Sequence, residues 1–115
     1  MEKLNPYYGP EKLGLRALTL NEPDLSYEYN MLLFVKPNGS NEVYWAHDSG
    51  CSCPTPFEDY EGETQEEVLQ KMERVRDENH LMEIVATWEA AWRKWKYVVP
   101  DYDDTRRQIA EWFHD

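Results

Sequence analysis

The residues from Ser26 to Lys36 place the tightest constraint on how this chain can fold. Apolar side chains alternate along them, and one side of an extended strand carries Tyr27, Tyr29, Met31, Leu33 and Val35. Leu32 and Phe34 also make the opposite side apolar at its centre. A strand that is apolar on both sides must be covered on both, so this pattern predicts a strand with packing on each face.

A turn and a partner strand follow this segment directly. Residues 37–41 contain an Asn-Gly pair, which tolerates the positive φ of hairpin turns. Glu42–His47 is predicted to return antiparallel to Ser26–Lys36. Leu13–Leu20 predicts a further short strand, and residues 1–12 read as an irregular arm.

The second half of the chain carries helical signals. Thr64 and Glu67 form a capping box, which predicts a helix over Thr64–Asp77. Leu81–Tyr97 predicts a second helix, and its spacing indicates that one face is the core face. That face carries Leu81, Ile84, Val85, Trp88, Trp92 and Trp95. Alternatively, the tryptophans of this stripe line a binding groove, because tryptophan is enriched among the residues that contribute most to binding. A last helix is predicted to begin at Asp103 or Asp104 and to bear Ile109, Trp112 and Phe113.

Strands followed by helices indicate an α+β fold. We predict one domain over residues 1–115, with a small antiparallel meander of about three strands in the N-terminal half. About three helices from the C-terminal half should pack on that sheet. A hydrophobic content of 41% is sufficient for one core in a chain of 115 residues.

The net charge limits the partners of the chain. It carries 23 acidic and 12 basic residues, which gives −11 at pH 7. Direct binding of nucleic acid or of an anionic membrane surface needs a basic surface, so both are disfavoured. A basic protein partner, a cation, or solubility alone fits the charge.

No feature of the sequence predicts export or membrane insertion. No apolar run approaches the roughly 20 residues that span a bilayer. Residues 1–6 lack the apolar core of a signal peptide. Cys51 and Cys53 are the only cysteines, too few for a disulfide framework, so we expect a cytoplasmic protein with reduced thiols.

Functional signals concentrate in about residues 47–63, the signature loop, which joins the hairpin to the first helix. Residues 44–60 read Tyr-Trp-Ala-His-Asp-Ser-Gly-Cys-Ser-Cys-Pro-Thr-Pro-Phe-Glu-Asp-Tyr. This run resembles the Tyr-Trp-x-x-Asp-Ser-Gly-Cys-Ser-Cys-Pro-x-Pro-Phe-Glu signature of small uncharacterised proteins of actinobacteria and their phages. The resemblance implies a phage or actinobacterial source and implies no activity.

Metal binding is the sharpest chemical hypothesis for the signature loop. His47, Cys51 and Cys53 are ligand types that zinc prefers. The Cys-x-Cys spacing is not typical of zinc sites, and a fourth ligand stays open among Asp48, Glu58, His80 and His114. Small packing roles for the cysteines explain the pattern better. We expect no cofactor.

Catalysis is weaker still as a hypothesis. Cys51 with His47 as base and Asp48 as orienting acid would be a nucleophilic arrangement. Groups this close on a loop seldom meet, and no oxyanion motif or Gly-rich phosphate loop accompanies them. We therefore predict that the protein is not an enzyme.

An unbalanced acidic run surrounds the signature loop. No lysine or arginine lies between Lys36 and Lys71. That interval holds Glu42, Asp48, Glu58, Asp59, Glu61, Glu63, Glu66 and Glu67. A surface of one sign steers basic partners toward it.

We therefore predict a non-enzymatic protein that binds a host or self protein, itself basic, through the acidic signature loop. The predicted contact residues are Asp48, Pro54, Pro56, Phe57, Glu58, Asp59, Tyr60, Glu61 and Glu63. The prolines and aromatic rings would form a rigid apolar centre, and the carboxylates a charged rim. Alternatively, Phe57 and Tyr60 tuck the loop against the sheet.

Two other functions stay open. The first is a small zinc-binding domain that uses His47, Cys51 and Cys53. The second is an acidic mimic of DNA, which the interleaved Arg93, Lys94 and Lys96 weaken.

Overall fold

A computed structural model of the chain describes residues 3–22, 25, 27–51, 55–93 and 102–115. Its strands are β1 (Leu15–Asn21), β2 (Glu28–Pro37), β3 (Val43–Cys51) and β4 (Glu73–Val75). Its α-helices are α1 (Gln65–Lys71), α2 (Glu78–Arg93) and α3 (Tyr102–His114). The predicted α+β class is confirmed.

The four strands form one antiparallel sheet in the order β1-β2-β3-β4. The predicted hairpin is confirmed, with Leu33 opposite Ala46 and Gly39 at a φ of 79° in the turn. A meander of about three strands was expected, and the fourth strand is the difference. It pairs with Val43 to Trp45 at the edge of β3.

The helix predicted over Thr64–Asp77 is correct only in its first half. The Thr64 hydroxyl accepts a hydrogen bond from the Glu67 amide at 3.2 Å, as the capping box predicts. The helix ends at Lys71, and residues 73–75 form β4 instead. Met72 and Val75 lie in hydrophobic clusters on opposite faces of the sheet. Residues three apart in a helix share one side, so the extended chain is what lets both be buried.

The second predicted helix is present and begins earlier than Leu81. The Asp77 carboxylate accepts from the His80 amide at 2.8 Å, and α2 starts at Glu78. Trp88 and Trp92 are buried, as the core prediction required. Residues 94–97 of the predicted helix, which include Trp95, lie outside the described residues. The last helix, α3, begins at Tyr102.

Both faces of β2 are buried along its centre, as its sequence predicts, but the strand begins at Glu28, and Tyr27, which was predicted on one face, is 85% exposed. On one face, Leu32 and Phe34 pack with residues of α2 and α3. On the other, Met31, Leu33 and Val35 pack with α1, the N-terminal arm and the signature loop. The sheet is thus the middle layer of three, and the signature loop and α2 lie on opposite sides of it.

Two charged contacts anchor α3. Lys36 is buried at the end of β2 and donates to the main-chain oxygens of Trp112 and Asp115, where a cation suits the end of a helix. Burial lowers the pKa of Lys36, and the neighbouring Arg16 lowers it further. The Arg106 guanidinium donates to the buried Glu89 carboxylate at 2.9 Å and joins α3 to α2.

No helix in the described ranges is long and apolar enough to cross a membrane.

Candidate functional site

The signature loop begins inside the sheet rather than after it. His47, Asp48 and Cys51 belong to β3, which was predicted to end at His47. The Asp48 carboxylate accepts hydrogen bonds from the Phe57 amide at 2.7 Å and the Tyr29 hydroxyl at 3.3 Å. Asp48 therefore fastens the returning chain to the sheet.

Two apolar residues of the loop, Pro56 and Phe57, face inward. Phe57 is 0% exposed, and Pro56 is buried beside it. The Phe57 ring lies 5.7 Å from that of Tyr7 and 6.0 Å from that of Tyr60. In this arrangement Pro56 and Phe57 pack the loop on the sheet and present no surface to a partner.

The N-terminal arm closes this face. Leu4 exchanges main-chain hydrogen bonds with Gly62 at 2.8 and 3.1 Å. The Asn5 side chain donates to the Pro56 carbonyl at 2.9 Å and to the Glu61 carboxylate at 3.0 Å. Phe57 also has a φ of 61°, a left-handed conformation that costs on the order of 1–3 kcal/mol and needs such support.

Three of the predicted contact carboxylates stay at the surface. Glu58, Asp59 and Glu63 are exposed, and none of them forms an ion pair with any described residue. Burial raises the pKa of Tyr60, and Asp48, Glu73 and Asp59 raise it further, which reflects the negative charge gathered around the loop. We call Glu58, Asp59 and Glu63 the acidic surface. Pro54 lies outside the described residues.

The proposed zinc ligands are spread along a strand. His47 and Cys51 are four residues apart in β3, which places their Cα atoms about 13 Å apart. Zinc lies only about 2.0–2.3 Å from its ligand atoms, so this spacing weighs against one shared ion. Cys53 lies outside the described residues, which contain no cluster of three metal-ligating side chains.

A cavity of about 570 Å³ lies on the opposite face of the sheet, between α2 and the adjacent ends of β2 and β3. We call it the α2 groove. Its lining comprises Asn30, Leu32, Trp45, His47, Ser49, His80, Glu83, Ile84, Thr87, Trp88 and Ala91. Apolar walls with a few polar groups are typical of binding sites for small molecules.

Asn30 organises the wall of the groove. Its side-chain oxygen accepts from the Trp88 indole at 3.0 Å and lies 2.7 Å from His47 Nε2. Its side-chain nitrogen donates to Glu22 at 3.0 Å. Burial lowers the pKa of His47, and Asp48 only partly opposes this, so neutral imidazole is favoured.

The sequence pointed to one wall of the α2 groove, because Trp88 belongs to the tryptophan stripe that was the alternative groove, but not to the other walls. Its lining comes from β2, β3 and α2, which are far apart along the chain, and no motif links them. A further signal was Asn30, a polar residue on the side of the strand that carries Leu32 and Phe34.

Comparisons with known proteins identify the family and no activity. Residues 4–108 match the family described as Domain of unknown function (DUF7574). The chain belongs to this family. No curated protein and no solved structure matches the sequence.

Proposed function

We propose that this DUF7574 chain is a non-enzymatic binding protein that recognises a basic protein partner, of the host or of its own source, through the acidic surface. The proposal rests on the exposure of Glu58, Asp59 and Glu63. All three are exposed without a described ion-pair partner, and the chain beside them is tied to the sheet and to the N-terminal arm by the bonds of Asp48 and Asn5. Unpaired carboxylates can bind a cation without first breaking an ion pair of their own.

The form of the contact differs from the one expected from sequence. A buried Phe57 cannot supply an apolar centre, so the carboxylates and the half-buried Tyr60 are the contacts available among the described residues of the predicted set. Glu61 is occupied by Asn5, and Asp48 by the Phe57 amide. Both therefore support the surface rather than form it.

The signature resemblance favours a phage or actinobacterial source, and a cytoplasmic location belongs to the same proposal. The zinc alternative is weakened by the extended spacing of His47 and Cys51. A native mass spectrum with and without chelator separates it from protein binding. The DNA-mimic alternative needs long rows of unpaired carboxylates, whereas Glu42 and Glu89 are paired with arginines.

The test reverses the charge of the acidic surface with Glu58→Lys, Asp59→Lys and Glu63→Lys in one variant. Glu28→Lys, Glu83→Lys and Glu111→Lys make a matched control, because those three acids are also exposed. For a partner purified from host lysate, we expect the first variant to associate about tenfold or more slowly at low salt, since charge steers encounter. The control should change the rate much less.

If both variants slow association equally, the effect comes from the net charge of the protein and not from the acidic surface. A rate that ignores both variants and the ionic strength would place the contact elsewhere. Either result contradicts the proposal.

A further inference from the structure

We propose that the α2 groove binds a small, uncharged, planar heteroaromatic molecule that carries both a hydrogen-bond donor and an acceptor, the class to which nucleobases belong. This site lies across the sheet from the acidic surface. The inference does not depend on the protein partner proposed above.

The walls of the groove select an aromatic ring. Trp45 comes from the sheet and Trp88 from the helix, and Leu32 and Ile84 add further apolar lining. Flat rings gain from stacking on tryptophan as well as from burial. A volume of about 570 Å³ suits one small molecule rather than a folded segment of another protein.

The two histidines of the groove have opposite hydrogen-bonding roles. The Asn30 side-chain oxygen can only accept, so His47 donates from Nε2 and keeps Nδ1 as an acceptor. The Arg76 amide donates to His80 Nδ1 at 3.0 Å, so His80 keeps its proton on Nε2 as a donor. A ligand that satisfies both must itself carry a donor and an acceptor.

The orientation of the Asn30 amide is fixed independently of His47. Its oxygen also accepts from the Trp88 indole at 3.0 Å, and its nitrogen donates to Glu22 at 3.0 Å. These bonds hold one histidine and one tryptophan of the groove before a ligand arrives. Such preorganisation lowers the entropic cost of binding.

Charge excludes anionic members of the class. Glu83 is an exposed carboxylate in the lining, and the chain as a whole carries −11. A phosphate attached to the ring would be repelled by both. The expected ligand is therefore a base or nucleoside rather than a nucleotide.

The experiment titrates ¹⁵N-labelled protein with the four ribonucleosides and, separately, with their 5′-monophosphates. The indole N–H resonances of the five tryptophans report where each molecule binds. We expect at least one nucleoside to shift the Trp45 and Trp88 resonances saturably. Its monophosphate should bind about tenfold more weakly at low salt. The absence of a saturable shift for every nucleoside at millimolar concentration, or equal binding of the monophosphate, overturns the proposal.

Substitution of the histidines tests the two roles. His47→Phe and His80→Phe should each weaken the nucleoside about three- to tenfold, the usual effect of one lost hydrogen bond. His114→Gln is the matched control, because the third histidine pairs with Glu78 outside the groove. Weakening by His114→Gln to the same degree, or unchanged affinity in both Phe variants, contradicts the proposal.

A third variant keeps the test decisive if the Phe variants fold poorly. Thr87 is exposed on α2, so Thr87→Trp fills the groove without changing the core and should abolish binding. Full binding by folded Thr87→Trp would place the ligand elsewhere. The acidic-surface variant should bind the nucleoside normally, so failure of one proposal is distinguishable from failure of the other.

Discussion

The two faces of the sheet use their aromatic residues in opposite ways. On the signature-loop face, Phe57 is 0% exposed and lies between Tyr7 and Tyr60. On the α2 face, Trp45 and Trp88 border a cavity of about 570 Å³. The most distinctive sequence segment therefore has its aromatic residue in the core, whereas an ordinary amphipathic helix borders the cavity where a ligand fits.

The reason lies in what covers each face. Irregular chain can follow a sheet closely, and the loop and the N-terminal arm do so through Asp48, Asn5 and the bridge of Leu4 with Gly62. A helix is a regular cylinder whose backbone bonds are made within itself, so it cannot follow a sheet closely in the same way. The α2 groove is space between the helix and the sheet, and it extends along β3 from Trp45 to Ser49.

The largest expected effect tests whether both faces are core. Phe57→Ala and Trp88→Ala should each lower the free energy of unfolding by about 3–5 kcal/mol, through lost burial plus the cavity left behind. Urea unfolding measures both, and Tyr8→Ala is the control, because Tyr8 is 62% exposed. A loss below about 0.5 kcal/mol at Phe57 is typical of surface positions. It would mean that the ring is exposed and could form the apolar centre of a partner contact.

A smaller effect tests the fastening of the loop. Asp48→Ala removes the acceptor of the Phe57 amide and the Tyr29 hydroxyl, so we expect a loss of about 1–3 kcal/mol. Asp59→Ala removes an exposed carboxylate and should change stability by less than about 0.5 kcal/mol. Hydrogen exchange at the Phe57 amide should accelerate only in the first variant. Equal exchange in both would mean that Asp48 does not hold the loop.

The smallest effect concerns acid stability on the α2 face. Burial lowers the pKa of folded His47 below the ordinary 6.5, so the unfolded chain binds its proton more readily. The stabilising contribution of neutral His47 is present above pH 6.5 and is lost as the pH falls through the folded pKa. Wild-type protein should lose stability over this range more steeply than His47→Gln, as measured by urea unfolding at each pH. If the free energy of unfolding falls equally with pH in the two proteins, the lowered pKa of His47 is contradicted.

Local patterns predicted much of the fold. The hairpin of β2 and β3 follows from alternation and an Asn-Gly turn, both of which act between neighbours in sequence. The start of α1 at Thr64 follows from its capping box. The fate of residues 73–75 could not be predicted this way, because their pairing with Val43 to Trp45 overrides a plausible helical pattern.

The candidate sites were less predictable than the fold. The acidic surface was visible as a run without lysine or arginine, since a local charge run stays local when the chain folds. The inward position of Phe57 depends on Tyr7, fifty positions earlier, and the sequence left packing and exposure as alternatives. The α2 groove had no local signal beyond Asn30 and the tryptophan stripe that includes Trp88.

By itself, the sequence determines the α+β class, a strand buried on both faces, the capped start of α1 and the acidic character of the signature loop. Each of these follows from spacing or charge over a few residues. Only the tertiary structure decides that Phe57 is core, that residues 73–75 extend the sheet, and that two histidines meet two tryptophans in one groove. These outcomes depend on which distant surfaces cover each other, and burial of apolar area rather than local preference selects among them.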